Sequence, residues 1–116
     1  MRHHSVTRKF GLKKDQRNAL MRSLARNLVN EGKISTTLAK AKELRPYIEK
    51  LVTKAISGTP ASRRLVISKI GGEKETKVLF ETIAPKYKER KGGYTRIIKT
   101  SRRVLDAAEM AVIEFV

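Results

Sequence analysis

Cysteine is absent from this chain, and with it go disulfide frameworks, thiolate metal sites and thiol nucleophiles. Its absence fits a reducing compartment. Tryptophan is also missing and aromatic residues make up only 5%. No apolar run is long enough to span a bilayer, and the first residues lack the apolar core of a signal peptide. The only histidines, His3 and His4, stand side by side with no third ligand in view, so no metal is expected. No serine sits in a nucleophile elbow, and no glycine-rich loop leads from a strand into a helix. Gly92-Gly93 is followed by strand-forming residues, so it is not a phosphate loop of that kind. The acids are scattered over helix surfaces, and no acid–base pairing emerges. Enzymatic chemistry, and any cofactor for it, is therefore not expected.

Acidic residues are scarce as well: 11 Asp and Glu face 27 Lys and Arg, giving a net charge of +16 over 116 residues. Self-repulsion of that size opposes compaction, and a polyanionic partner relieves it. A lipid surface is the weaker option, because no helix pairs a basic face with a broad Phe/Leu face. A nucleic acid is the stronger one. The length suits one small domain with a modest core.

The chain divides into a basic arm, residues 1–14, and a domain, residues 15–116. The arm carries Arg2, Arg8, Lys9, Lys13 and Lys14 with no acid, and its apolar residues are too sparse for an element. It is either a solvated tail or a segment that orders against phosphate. A helix is expected over residues 15–31, with Asp15 as its N-cap and Leu20, Leu24 and Leu28 forming a stripe flanked by Met21, Ala25 and Val29. Gly32 suits a left-handed C-cap. Residues 34–46 are the stretch around which the rest of the domain is organised. A β-branched run to Thr37 reads as a strand, and the helix formers after it read as a helix that Thr36 or Thr37 can cap. This second helix should reach about residue 56, with Ala41, Leu44, Ile48, Leu51, Val52 and Ala55 inward and a kink or break at Pro46. Thr59-Pro60 starts a third helix that ends at Gly71-Gly72. A fourth covers residues 73–83 and should finish before Pro85. Strands are expected over residues 94–100 and 110–116, the second with Ala111, Ile113 and Phe115 on one face. The order α-β-α-α-α-β-β implies an α+β fold, a two-layer α/β domain with helices on one small three-stranded sheet.

Cationic residues gather in the arm, at the joint from Thr36 to Arg45, and between Lys86 and Arg103, where Glu89 is the only acid. A single lysine is ordinarily no more than a solvated charge; the recurrence of such patches points to a polyanion. In the last of them the glycine pair allows close backbone approach. Tyr94 beside Arg96 can stack on a base while the guanidinium takes phosphate. Tyr94 reads equally well as a core tyrosine at a strand start. Charge spread over several faces suits a protein embedded in folded RNA better than one reading a DNA groove, and no RRM, KH or zinc-finger pattern is present. A free-standing nucleoid-type DNA-binding protein is the alternative.

The opening MRH, the segment RNALMRSLARNLVNEGKISTTLAKAKELRP, and GGYTRI followed later by AAEMAVIEFV resemble the bacterial large-subunit ribosomal protein seventeen family over nearly the whole chain. The resemblance implies a two-layer α/β domain bound to large-subunit ribosomal RNA near the outer end of the peptide exit tunnel. It also implies contacts with neighbouring large-subunit proteins, and no catalysis. Carried over by motif, the RNA-binding residues are Arg2, His3, Arg17, Arg22, Thr36, Thr37, Lys40, Lys42, Gly92, Gly93, Tyr94, Thr95 and Arg96. Arg8, Lys9, Lys13, Lys14, Arg102 and Arg103 are added from charge. The chain departs from the family pattern at residues 13–16, at Leu105, where Gly is common, and at Glu109, where Pro is common.

Overall fold

Local capping chemistry sets most of the element boundaries in the computed structural model, which describes residues 8–116. Helix α1 (Lys14–Glu31) ends on Gly32 in the left-handed region at φ 78°, its N–H donating to the Leu28 carbonyl. Strand β1 (Lys33–Thr37) follows at once. Thr37 is the threonine that caps helix α2 (Leu38–Ser57): its Oγ1 accepts from the Lys40 N–H at 3.3 Å. Gly58 closes α2 and Thr59 opens α3 (Pro60–Ile70), with Pro60 in the first turn, where no donor is required.

Three expectations are corrected. Asp15 is not the cap of α1. Lys13 holds that position because Gln16, three residues on, reaches back to accept the Lys13 N–H at 3.4 Å. Asp15 falls in the first turn, where its charge still favours the positive end of the helix. The buried stripe of α1 is Met21, Ala25, Leu28 and Val29, with Leu20 and Leu24 only partly covered. It is rotated from the expected leucine line because α1 packs against α2, β1, α3 and α4 together. The helical path also does not finish before Pro85. Helix α4 (Glu73–Val78) widens into a π-helical turn (Leu79–Ile83) and then tightens into a 3-10 turn (Ala84–Tyr87) containing Pro85. Pro85 stands in the first turn of the tight segment, a position that its fixed φ suits. The change of pitch keeps Leu79, Ile83, Ala84 and Tyr87 all in the core. Pro46, by contrast, neither divides nor ends α2; it sits on the exposed side of a continuous helix.

Strands β2 (Thr95–Lys99) and β3 (Met110–Phe115) complete an antiparallel sheet of order β1-β3-β2. The architecture is therefore α+β, in the order α-β-α-α-α-β-β. Ile34, Ile113 and Ile97 lie in register across the three strands and face the helices, with Ala111 and Phe115 on the same side of β3. The opposite face carries Lys33, Glu114 and Arg96 as one cross-strand row and Ser35, Val112 and Ile98 as the next. Leu28, Leu44, Ile48, Val52, Val66, Ile70 and Leu79 are fully buried in one core. Each such side chain stabilises the fold by roughly 1.5–3 kcal/mol. The end of β3 is tied down: Phe115 N donates to the Gly32 carbonyl, Val116 N to the Tyr94 carbonyl, and Tyr87 Oη to the Val116 carbonyl at 2.6 Å.

Candidate nucleic-acid interface

Helix α2 buries Leu38, Ala41, Leu44, Ile48, Leu51, Val52 and Ala55, which leaves an outer surface to its charged residues. Lys42, Pro46, Lys50 and Lys54 fall four apart on that surface, and all are exposed. Rows at i±4 are natural ridges of a helix, so these side chains wind along α2 for about 18 Å. Pro46, Lys50 and Lys54 separate two hollows. One, of about 560 Å³, lies between α1, α2 and α3, with Met21, Leu51 and Leu65 contributing apolar surface and Arg17 and Lys69 contributing charge. The other reaches Lys91 and Gly92 across the side chains of Glu49 and Thr53. At the N-terminal end of α2, Arg8, Thr37 and Lys42 share a third hollow with Glu109.

The acids near this ridge are already engaged. Glu43 takes Arg8 Nη1 at 2.8 Å. Glu49 Oε2 accepts from Thr95 N at 3.2 Å and Thr95 Oγ1 at 2.9 Å, with Arg45 Nε 3.8 Å away. Among the described residues, Lys42, Lys50, Lys54, Arg17, Lys69 and Lys91 form no ion pair. The result is a cationic surface across three helices and the loop before β2, with its nearby carboxylates already bonded within the protein. Such a surface is suited to phosphates held along a folded strand. No helix among the described residues is long and apolar enough to cross a membrane.

A family profile described as Ribosomal protein L17 matches residues 20–116. Proteins named large ribosomal subunit protein bL17 match along the full chain. That of Campylobacter jejuni is 53% identical over 100% of this chain and 99% of its own length. That of Nautilia profundicola is 51% identical over 100% and 98%. That of Sphingopyxis alaskensis is 50% identical over 100% and 84%. The chain belongs to the ribosomal protein L17 family. Members of this L17 family are structural, non-enzymatic components of the large ribosomal subunit, and the relatives give no support to a free-standing DNA-binding protein.

Against that L17 assignment, the expected site residues divide sharply. Arg2 and His3 lie outside the described residues. Lys9, Lys13 and Lys14 are exposed at the entrance to α1, where a turn begins at Lys9 with Leu12 N donating to its carbonyl. Arg17 and Lys42 belong to the ridge and its flank, and Thr37 and Arg8 to its N-terminal end. Thr36 and Lys40 are half-buried nearby. Arg22 lies against the C-terminal end of α3 rather than on the ridge: a Cβ added at Gly71 would meet Arg22 Cδ at 3.5 Å and Arg26 Nη1 at 3.3 Å. The carbonyl end of a helix favours such cations. Arg22 also acts on Tyr47, whose phenol burial holds above its ordinary pKa while the guanidinium pulls it partly back.

The GGYTRI stretch is split between interior and surface. Gly92 and Gly93 are exposed, with no atom within 4 Å of an added Cβ. Tyr94, expected either to stack on a base or to sit in the core, is a core residue, 1% exposed. Its ring lies 5.4 Å from that of Tyr87 and its hydroxyl is 3.3 Å from Thr53 Oγ1 and the Arg90 carbonyl. A buried ring has no free face for a base, so the stacking reading of Tyr94 is corrected. Thr95 is likewise buried and spends its hydroxyl on Glu49. Arg96 is exposed, but on the sheet face opposite the helices, where its Nε meets Glu114 Oε1 at 2.7 Å. Arg102 and Arg103 stand in the loop between β2 and β3 and are bonded to Glu109 and Asp106. They do not join the ridge. Sequence reasoning did not single out Lys50, Lys54 or Lys69, and held Lys91 only as part of the basic run from Lys86 to Arg103. The four-residue spacing from Lys42 was there to be read, but an expected break at Pro46 concealed it.

Proposed function

We propose that this chain is a non-catalytic structural constituent of the bacterial large ribosomal subunit, working in the cytoplasm as part of the ribosome. It binds and stabilises large-subunit ribosomal RNA near the outer end of the peptide exit tunnel, beside other large-subunit proteins. The α2 ridge carries the reading: Lys42, Lys50 and Lys54 follow one helical row, flanked by Arg17, Lys69 and Lys91, while neighbouring acids are bonded within the protein. Lys9, Lys13 and Lys14 carry the same charge in the arm, and Arg2 and His3 of its opening motif are assigned to RNA with them. The Thr36-Thr37 joint and Gly92-Gly93 supply places where backbone can come close to a sugar–phosphate chain. Arrangements of this kind position RNA without reading sequence, and counterion release from the phosphates supplies much of the affinity.

Sedimentation and competition test it together. The protein should travel with large subunits in a lysate spun at moderate salt. Purified, it should retain structured large-subunit rRNA against duplex DNA supplied at equal phosphate concentration. Displacement by the duplex, or sedimentation with chromosomal DNA, would overturn the proposal.

A further inference from the structure

The connection between β2 and β3 departs from the rest of the surface. In a protein of net charge +16, its charged residues are Arg102, Arg103, Asp106 and Glu109, which sum to zero. Each is paired inside the loop. Arg103 holds Asp106 through two bonds, Nε to Oδ1 at 3.0 Å and Nη2 to Oδ2 at 2.9 Å. Arg102 donates through Nη1 to the Ala107 carbonyl and through Nη2 to Glu109 Oε1, both at 3.0 Å. The backbone is closed as well, with Arg103 N on the Ala108 carbonyl, Ala107 N on the Arg103 carbonyl, and Ala108 N on Asp106 Oδ1. On top of this built loop stand Val104 and Leu105, 97% and 95% exposed.

Two adjacent aliphatic side chains almost wholly in water form an apolar tip, and a loop closed by its own hydrogen bonds presents it. The loop's own bonds hold it in place, so a partner need not order it. What it offers is apolar and locally neutral. Its guanidinium groups are turned onto the loop's own carboxylates, so the tip presents no uncommitted cation to a phosphate. We propose that the Val104-Leu105 tip docks into an uncharged apolar pocket on a neighbouring large-subunit protein, so that this loop is a protein contact while the α2 ridge takes RNA. The inference rests on the ribosomal reading above and adds which surface meets a protein.

The test uses intact large subunits carrying a photoreactive aliphatic residue at position 105, irradiated and analysed for the crosslinked species. A crosslink to another large-subunit protein is expected. A crosslink to rRNA or to a second copy of this chain, or no crosslink in subunits that contain the chain, overturns the inference and leaves the ribosomal reading standing. Absence of the chain from subunits overturns both. A second arm uses the double variant V104T/L105Q, whose altered side chains touch no core residue. Its melting temperature and affinity for purified large-subunit rRNA should match wild type, while its retention in washed subunits falls roughly tenfold or more. If rRNA affinity falls in step with retention, the tip is an RNA contact and the inference fails.

Discussion

Glu49 Oε2 accepts both the N–H and the hydroxyl of Thr95, which is 2% exposed. One carboxylate oxygen thus fixes the start of β2 against the middle of α2. Removing it leaves two buried donors without a partner, so Glu49→Ala should lower stability by about 1–3 kcal/mol. Thr95→Val deletes one donor and keeps the shape, and should cost less; urea melts of both variants decide the order. The tyrosines give a pH prediction. Burial holds the phenols of Tyr47 and Tyr87 above the ordinary 10.0, with Arg22 and Arg90 respectively pulling each partly back. A raised value in the folded state means that this contribution is complete below pH 10.0 and is lost as pH climbs through the raised values. Stability should therefore fall on the alkaline side of pH 10.0, and the Tyr47→Phe/Tyr87→Phe protein should fall less. An alkaline limb identical in the two proteins would assign the loss to other groups.

Among the elements, those that sequence alone located are the ones whose ends are settled by nearby residues. Gly32, Thr37, Gly58, Thr59 with Pro60, and Gly71 each act within a turn of their own position. The segment after Val78 could not be read in that way. Its pitch changes twice so that Leu79, Ile83, Ala84 and Tyr87 reach one core, a demand made by α2 and β3 rather than by neighbours in sequence. The interface was legible as charge but not as a shape. Nothing local distinguishes Arg102, which finds Glu109, from Lys50, which finds no acid among the described residues. Nor does local sequence say that Tyr94 turns inward while Gly92 stays out. The glycine pair offers a clean separation of fold from binding. Gly93 has φ +65°, so Gly93→Ala should cost about 1–2 kcal/mol in strain with no clash. Gly92 lacks a positive φ and has open space around it, so Gly92→Ala should melt like wild type. If backbone approach at this loop matters, Gly92→Ala should still weaken rRNA binding several-fold. Equal affinity would remove the loop from the interface.

At the scale of the whole molecule, the fold sorts its charges by place. Acids on the ridge side are bonded within the protein, the β2–β3 loop cancels its own charge, and the outer row of α2 keeps its cations exposed. Net charge alone predicts that every lysine contributes alike to binding; the arrangement predicts that position decides. Lys42→Gln, Lys50→Gln and Lys54→Gln together remove three charges from one row. Each phosphate left without its cation reduces the log–log salt slope of RNA binding by about 0.7–0.9, so the triple variant should lose roughly 2–3 units. A control with Lys33, Arg96 and Lys99 changed to Gln removes the same net charge from the sheet. General attraction falls equally in the two proteins, because both carry the same total. The ridge variant should lose affinity steeply at low salt and converge on the control at high salt, where screening has already removed most of the phosphate contribution. Melting temperatures of both should stay near wild type, since α2 lysines on this row pair with no acid among the described residues and the Arg96–Glu114 pair is exposed. Equal slopes for the two variants would mean that charge acts as a diffuse field and that the α2 row is not the seat of binding.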